Sequence, residues 1–187
     1  GKVGVAENEP PLAKALAMGA EWAIRVNAEA TDGFFVEKQL AAVVKKGGYD
    51  LIIAWRESIE DNGGMVPGML AELIGAKFVN NCISLEIDGT AVKAMREIDG
   101  GKETDATSLP LVIGGQKGLV EESDLRIPNM RGIMMARKKP LNVVEPTGAA
   151  AETKAVSFEK PAPRGAVKLV DTVDELIDLL HNEAKAI

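Results

Sequence analysis

Helical and strand patterns alternate along the first half of the chain, and this order limits the fold more than any other feature. A helical stripe over residues 10–18 precedes a short apolar run at 22–26. A second helix, with Asp32 as its N-cap, precedes an uninterrupted apolar run at 50–54. Such a run is typical of a parallel strand covered on both faces. With a third helix at 65–74, the order predicts a parallel α/β sheet.

Antiparallel hairpins are predicted after the third helix, where the hydrophobic period shortens. Strand patterns lie at residues 78–86, 91–98 and 104–113. The turn Asp-Gly at residues 88–89 joins the first two, and Asp-Gly-Gly at residues 99–101 joins the second to the third. Asp-Gly between alternating apolar residues is a strong hairpin signal. An antiparallel extension therefore continues the parallel sheet, and a helix at 130–139 and a strand at 141–144 follow it.

The last part of the chain predicts an extended arm and a terminal helix. Residues 145–165 are rich in Ala, Pro, Thr, Lys and Gly, which is a linker-like composition. Thr172 and Glu175 fit a capping box in front of an apolar helix. We therefore divide the chain into an α/β domain at 1–144 and an arm with its helix at 145–187. The apolar face of this helix packs either on its own domain or on another subunit.

The composition disfavours several classes of protein. The 187 residues carry a net charge of −6, whereas a general nucleic-acid binder needs a basic surface. Cys82 is the only cysteine and His181 the only histidine, so a cysteine-based zinc cluster and a Ser-His-Asp triad are not expected. No apolar run reaches the roughly 18 residues of a membrane span, and no signal peptide is expected. Function is then expected to depend on backbone amides, carboxylates and a partner.

The segment with the clearest chemistry is residues 54–66, between the buried strand and the third helix. Ligands of parallel sheets bind at the carboxyl ends of the strands. Gly63 and Gly64 let the backbone approach a ligand, and the first N–H groups of the helix are donors at its positive end, which suits a phosphate. An ordinary tight turn has the same pattern. The acidic side chains here also allow a bond to a ribose hydroxyl, a helix cap or simple exposure to water: Glu57, Glu60 and Asp61.

Several segments match, in the same order along the chain, the motifs of one known family. The most specific is Arg-Glu-Ile-Asp-Gly-Gly-Lys-Glu at residues 96–103, followed by Leu109-Pro110. The others are Tyr-Asp-Leu-Ile-Ile-Ala, Ser-Ile-Glu-Asp-Asn-Gly-Gly-Met-Val, Met-Leu-Ala-Glu-Leu, Ile-Met-Met-Ala-Arg-Lys-Lys-Pro and Gly-Ala-Val-Lys, at residues 49–54, 58–66, 69–73, 133–140 and 165–168. Together they cover nearly the whole chain, which resembles the electron transfer flavoprotein β-subunit family.

The resemblance implies an α/β fold with a Rossmann-like, adenine nucleotide alpha hydrolase-like parallel sheet, a hairpin extension and a C-terminal arm. It implies one subunit of a heterodimer that carries electrons from acyl-CoA-type dehydrogenases, as in fatty acid β-oxidation, to a quinone reductase. Such a subunit is an electron carrier and not an enzyme. The redox-active FAD lies in the α-subunit, and the β-subunit binds AMP or a second FAD. The implied location is the cytoplasm of a bacterium or the mitochondrial matrix of a eukaryote.

The resemblance also implies two groups of site residues. The cofactor-binding positions belong to the loop and the start of the third helix: Arg56, Asp61, Asn62, Gly63, Gly64, Met65 and Val66. The partner-docking positions are Met130, Arg131, Ile133 and Met134, with Met130 as the apolar anchor that enters a dehydrogenase. No metal ligand and no catalytic residue are implied. From the pattern alone, the methionines fit a hydrophobic core equally well.

Three residues depart from the family pattern: Trp55 stands in place of a small residue, Glu60 of an Asp and Met65 of a Gln. Family members also have an upstream strand and a loop that holds the adenine, so a fragment would lack half of the nucleotide site. Two other functions therefore stay open. One is a homodimeric nucleotide-binding protein of the universal-stress type, and the other is a structural subunit with an incomplete nucleotide site.

Overall fold

A computed structural model describes residues 1–59 and 62–187 of the chain. By their contacts, these residues divide into two compact units, Gly1–Lys154 and Ala155–Ile187. By their contacts, residues 145–154 belong to the first unit, which we call the α/β unit. The domain boundary after residue 144 stays a prediction.

Helices and strands alternate over residues 2–88, as the hydrophobic pattern predicts, and three more strands then follow before the next helix. The described strands are β1 (Lys2–Val3), β2 (Ala23–Val26), β3 (Leu51–Trp55), β4 (Lys77–Asp88), β5 (Ala91–Ile98), β6 (Gly101–Ser108), β7 (Leu111–Gly115) and β8 (Leu141–Val144). The described α-helices are α1 (Pro10–Met18), α2 (Gly33–Gly47), α3 (Val66–Ile74) and α4 (Met130–Ala136).

The described strands form two sheets. The first has the order β1-β2-β8, and all its strands are parallel. The second has the order β3-β7-β4-β5-β6, in which β3, β7 and β4 are parallel and β4, β5 and β6 are antiparallel. The predicted α/β fold with a hairpin extension is therefore confirmed, with its parallel strands divided between two sheets.

A cleft of about 860 Å³ borders both sheets. Residues of β1 line it together with residues of β3, and α2 and α3 contribute apolar side chains. Ile53 is 61% exposed and Trp55 is 66% exposed. The prediction that residues 50–54 are covered on both faces is therefore wrong for Ile53, because its side of the strand faces solvent.

The core of the second sheet is centred on β7, which lies between β3 and β4. Leu111, Val112 and Ile113 are fully buried, because a central parallel strand is covered on both faces. Cys82 of β4 is also fully buried and packs in the same cluster.

The strand predicted at residues 104–113 is two strands, and this prediction is wrong. β6 pairs antiparallel with β5, whereas β7 pairs parallel with β3 and β4, so the chain must change sheet position between them. Pro110 lies at this change of direction. Because proline cannot donate a ladder hydrogen bond, it interrupts the single strand that the apolar residues alone suggest.

Capping residues define the helix ends that position the loops. The Asp32 Oδ1 atom accepts a hydrogen bond from the Phe35 N–H at 2.7 Å, which confirms the predicted N-cap of α2. Helix α4 ends at Ala136, not at residue 139 as predicted, because the N–H groups of Lys138 and Lys139 donate to carbonyl groups three residues back, and Pro140 has no N–H. The Lys139 ammonium there donates to the carbonyl groups of Leu16 and Ala20.

The second unit is extended until α5 (Val173–Asp178), which continues as a π-helical turn at Leu179–Glu183. Thr172 Oγ1 accepts from the Glu175 N–H at 3.2 Å, as the capping box predicts. Large apolar side chains of this unit are exposed: Val156, Phe158, Val167, Leu169, Leu176 and Ile177.

Candidate functional site

The loop between β3 and α3 is anchored to the sheet at its base. The Arg56 N–H donates to the Gly115 carbonyl at 3.2 Å, which continues the pairing of β3 with β7. The Ser58 N–H donates to the Gly63 carbonyl at 2.9 Å and closes the loop on itself. The described ends of the loop therefore meet at the carboxyl end of β3, the edge at which parallel sheets bind ligands.

Two residues of the loop have backbone features that permit a close ligand. Asn62 has φ of +49°, a left-handed conformation that Asn tolerates better than most residues. A Cβ at Gly64 would meet the Arg56 carbonyl at 3.5 Å, which is ordinary contact, so Gly64 is not needed for packing. Asp61, which the resemblance assigns to the site, lies outside the described residues, as does Glu60.

The start of α3 supplies backbone donors. The Met69 N–H donates to the Met65 carbonyl at 3.1 Å, where the helical ladder begins. The N–H groups of Met65, Val66 and Gly68 precede this bond and have no acceptor within the helix. Pro67 has no N–H and therefore removes one donor. Three donors at a positive helix end remain a suitable cradle for a phosphate.

The start of α2 adjoins the start of α3. A Cβ at Gly33 would lie 2.8 Å from Met65 Sδ and 3.5 Å from Val66 Cγ2. The starts of the two helices thus meet at one edge, but the Asp32 carboxylate already caps α2, so the backbone donors open to an anion here are those of α3. The exposed Met65 side chain occupies part of this junction, where the family pattern has a polar one.

Arg56 is the cationic side chain of the loop. Its Nη2 atom donates to Glu57 Oε1 at 2.6 Å, and the Arg56 side chain is 42% exposed. The ion pair reduces the positive charge available to a phosphate. An exposed pair contributes little stability, so the guanidinium can turn to a ligand at small cost.

Asn80 belongs to the same edge and was missed by the sequence analysis. The Asn80 Oδ1 atom is buried, has no hydrogen-bond donor in the described residues, and would contact a Cβ at Gly114. The register of β4 shifts between Val79 and Cys82, where Asn81 has φ of +54°. Two adjacent asparagines inside an apolar strand are the signal that could have revealed this irregularity.

The predicted docking residues all lie on α4. Met130 is 74% exposed, and Arg131, Ile133 and Met134 are exposed as well. Helix α4 packs on α1 through its other side, where a Cβ at Gly132 would lie 2.8 Å from the Ala17 carbonyl. The interpretation of these methionines as core residues is therefore wrong, and their docking role stays a prediction.

The described part of the chain contains neither a candidate metal site nor a helix that could cross a membrane. In residues 1–59 and 62–187, no group of His, Cys, Asp and Glu side chains could hold a metal ion. None of the helices described is both long and apolar enough to span a bilayer.

The fold and the loop define a class of protein: an α/β protein with an anion-compatible site at the carboxyl edge of its sheet and a C-terminal arm. A family model for the electron transfer flavoprotein domain matches residues 2–149. The chain therefore belongs to the electron transfer flavoprotein family and resembles its β-subunits.

Curated relatives agree with the family match. The electron transfer flavoprotein subunit beta of Bacillus subtilis is 35% identical over 99% of this chain and 77% of its own length. That of Syntrophomonas wolfei is 35% identical over 84% of this chain, and the match spans 62% of its own length. The human protein of the same name is 30% identical over 93% of this chain and 71% of its own length. The chain thus spans between three fifths and four fifths of these relatives.

Proposed function

We propose that this chain is the β-subunit of a heterodimeric electron transfer flavoprotein. It carries electrons from acyl-CoA-type dehydrogenases, as in fatty acid β-oxidation, to a quinone reductase. The redox-active FAD lies in the α-subunit, and this subunit binds AMP or a second FAD. The family match and the exposed surface around Met130 support this proposal.

A nucleotide phosphate is the ligand that the β3–α3 loop suits best. The observation that carries this proposal is the start of α3, which has no side-chain cap and whose first backbone N–H groups have no acceptor within the helix. Backbone N–H groups of Met65, Val66 and Gly68 hold the phosphate, and Arg56 leaves Glu57 to pair with it. A flavin bound here supplies reversible electron acceptance. The protein residues bind and orient the nucleotide and perform no bond-making step.

The variant Gly64→Val tests the phosphate site. A side chain at this position has room within the loop but projects where the ligand approaches, so the purified heterodimer should lose its bound AMP or FAD. The matched control is Gly101→Val in β6, where a Cβ meets nothing within 4 Å. Bound nucleotide is released by heat and identified by mass spectrometry. Full nucleotide content in Gly64→Val contradicts the site.

The same measurement decides the structural alternative. A subunit whose site is incomplete purifies with the flavin-bearing α-subunit but yields no nucleotide of its own. The Arg56–Glu57 ion pair and the Met65 side chain favour this second function, because both reduce the attraction for a phosphate. The homodimeric alternative of the universal-stress type is not supported by the family match.

A further inference from the structure

The segment that follows β8 lies against α2 without any regular secondary structure. Residues 145–153 are exposed except for Ala149, yet they group by their contacts with the α/β unit. The second unit begins directly afterwards, at Ala155. Side chains of α2 and its N-cap account for this attachment.

Gln39 forms the first hydrogen bond between α2 and the segment. Its side chain is almost entirely buried, at 1% exposure, and its Oε1 atom accepts a hydrogen bond from the Thr147 N–H at 2.7 Å. The Nε2 atom of the same amide is also buried but has no acceptor among the described residues, so Gln39 is satisfied there only through its bond from Thr147.

Asp32 binds the segment at a second place, and its two oxygens accept hydrogen bonds from different parts of the chain. Oδ1 accepts from the Phe35 N–H at 2.7 Å and caps α2. Oδ2 accepts from the N–H groups of Glu152 and Thr153, both at 2.7 Å, and from Thr153 Oγ1 at 3.1 Å. An ordinary N-cap needs the first of these bonds only. The other three serve the segment.

The positions of Asp32 and Gln39 on α2 show how the segment runs along the helix. Asp32 and Gln39 are separated by about two helical turns and therefore lie on one side of α2, about 10 Å apart along the axis. Gln39 binds residue 147 and Asp32 binds residues 152 and 153, so the segment runs along α2 from its middle to its N-terminus.

We propose that Asp32 and Gln39 form a clasp that fixes residues 147–153 along α2 and so determines where the C-terminal arm leaves the α/β unit. The clasp restricts the first residues of the arm before any partner is present. Its effect on assembly rests on the proposed function: an arm with a fixed origin loses less conformational entropy when the α-subunit binds it. The clasp itself does not depend on that function.

Asp32 uses both of its oxygens as acceptors and carries a charge, and these two properties explain why a carboxylate and not an amide occupies the cap. A carboxylate accepts on both oxygens, and hydrogen bonds to an ionised acceptor are roughly twice as strong as neutral ones. The hydrogen bond from the Phe35 amide, and after it those from Thr153 and Glu152, lower the pKa of Asp32 below its ordinary value.

The variant Asp32→Asn separates the cap from the clasp. Asparagine is as good an N-cap as aspartate, but it has one oxygen, so it cannot accept on both sides. Amide hydrogen exchange of Glu152 and Thr153 in the full chain should become about tenfold faster or more, as expected for loss of bonds to a charged acceptor. Exchange at Phe35 should stay slow. The matched control, Asp50→Asn, makes the same charge change at an exposed residue and should alter neither.

Rapid exchange of Glu152 and Thr153 in the unmodified chain, equal to that in Asp32→Asn, overturns the clasp. Acceleration at Phe35 alone likewise overturns it, because Asp32 would then be a cap only. Association with the flavin-bearing α-subunit is measured separately, by stopped flow. Slower association of Asp32→Asn than of Asp50→Asn supports the role in assembly, and equal rates overturn that role. If the unmodified chain does not associate, the proposed function fails, while the exchange rates still decide the clasp.

Discussion

Glu37 is a buried carboxyl group whose charge the fold compensates only in part. Its side chain is 1% exposed, and its Oε2 atom has no hydrogen-bond donor among the described residues. Burial raises the pKa of Glu37 above its ordinary value of 4.5, with an opposing effect of Lys38 and a smaller reinforcing one of Asp32. Because the folded chain disfavours the ionised form, stability falls as the pH rises from 4.5 towards the raised pKa.

We therefore expect Glu37→Met to stabilise the protein at pH 7. Methionine has a similar length and a high helix propensity, and it removes an unpaired buried acceptor, which is worth about 1 kcal/mol in the free energy of unfolding. Urea denaturation at pH 7 and at pH 4 measures the gain. The gain should be smaller at pH 4, because Glu37 is then protonated to a greater extent in both the folded and the unfolded chain. A loss of stability at pH 7 contradicts this account.

Met130 allows a test of docking at the level of one side chain. It is 74% exposed, so Met130→Ala should leave thermal stability almost unchanged. Burial of this side chain in a partner is worth about 1.5–3 kcal/mol, or roughly a tenfold to hundredfold change in affinity. The variant should therefore slow the reduction of the flavin by its dehydrogenase at low protein concentration.

The control for Met130→Ala is Ile87→Ala, which shortens an exposed apolar side chain of β4. It should leave the reduction rate unchanged. A destabilisation of about 2–5 kcal/mol in Met130→Ala indicates a packing residue and excludes the docking role.

At the scale of elements, the α/β unit and residues 155–187 are different kinds of structure. The first has a buried core around β7, whereas the second exposes large apolar side chains such as Phe158 and Leu169. An exposed apolar series of this kind marks an interaction surface more often than a folded core. Within its own unit, α5 is too short to be stable without other contacts.

Deletion of residues 155–187 should leave the α/β unit folded and abolish co-purification with the α-subunit. Far-ultraviolet circular dichroism and thermal denaturation check the fold, and affinity purification of tagged α-subunit checks assembly. A heterodimer of normal yield without these residues shows that the arm does not contribute to assembly.

The sequence predicts those elements whose signals are local. The caps of α2 and of α5 and the turn between β4 and β5 depend on residues a few positions apart, and all are observed. The division between β6 and β7 was missed because it depends on which strands each one pairs with, a long-range property. Strand β1 was missed for the same reason, since two residues carry no pattern.

The site was predictable to a similar extent. The order strand, glycine-containing loop and helix indicates an anion site, and the structure has that order between β3 and α3. The contact of the α2 and α3 N-termini and the buried Asn80 oxygen could not be predicted, because each depends on elements far apart in the chain. The cofactor-binding and docking assignments stay predictions.

At the scale of the whole α/β unit, α2 connects the two sheets. It contacts β1 of the first sheet and α3, which packs on the second. The cleft that borders both sheets therefore has walls from separate parts of the unit, and any ligand or chain segment bound there contacts both.

The cleft also has a spectroscopic consequence. The chain has two tryptophans, Trp22 and Trp55, and both line the cleft with exposed indole rings. Because indole emission moves to shorter wavelength when water is displaced, the intrinsic fluorescence of this protein should report whatever fills the cleft. Addition of a ligand or of a partner chain that fills the cleft should shift the emission maximum to the blue and protect it from quenching by acrylamide. The variants Trp22→Phe and Trp55→Phe assign the shift to one wall or the other, and an unchanged spectrum on saturation means that the cleft stays open to water.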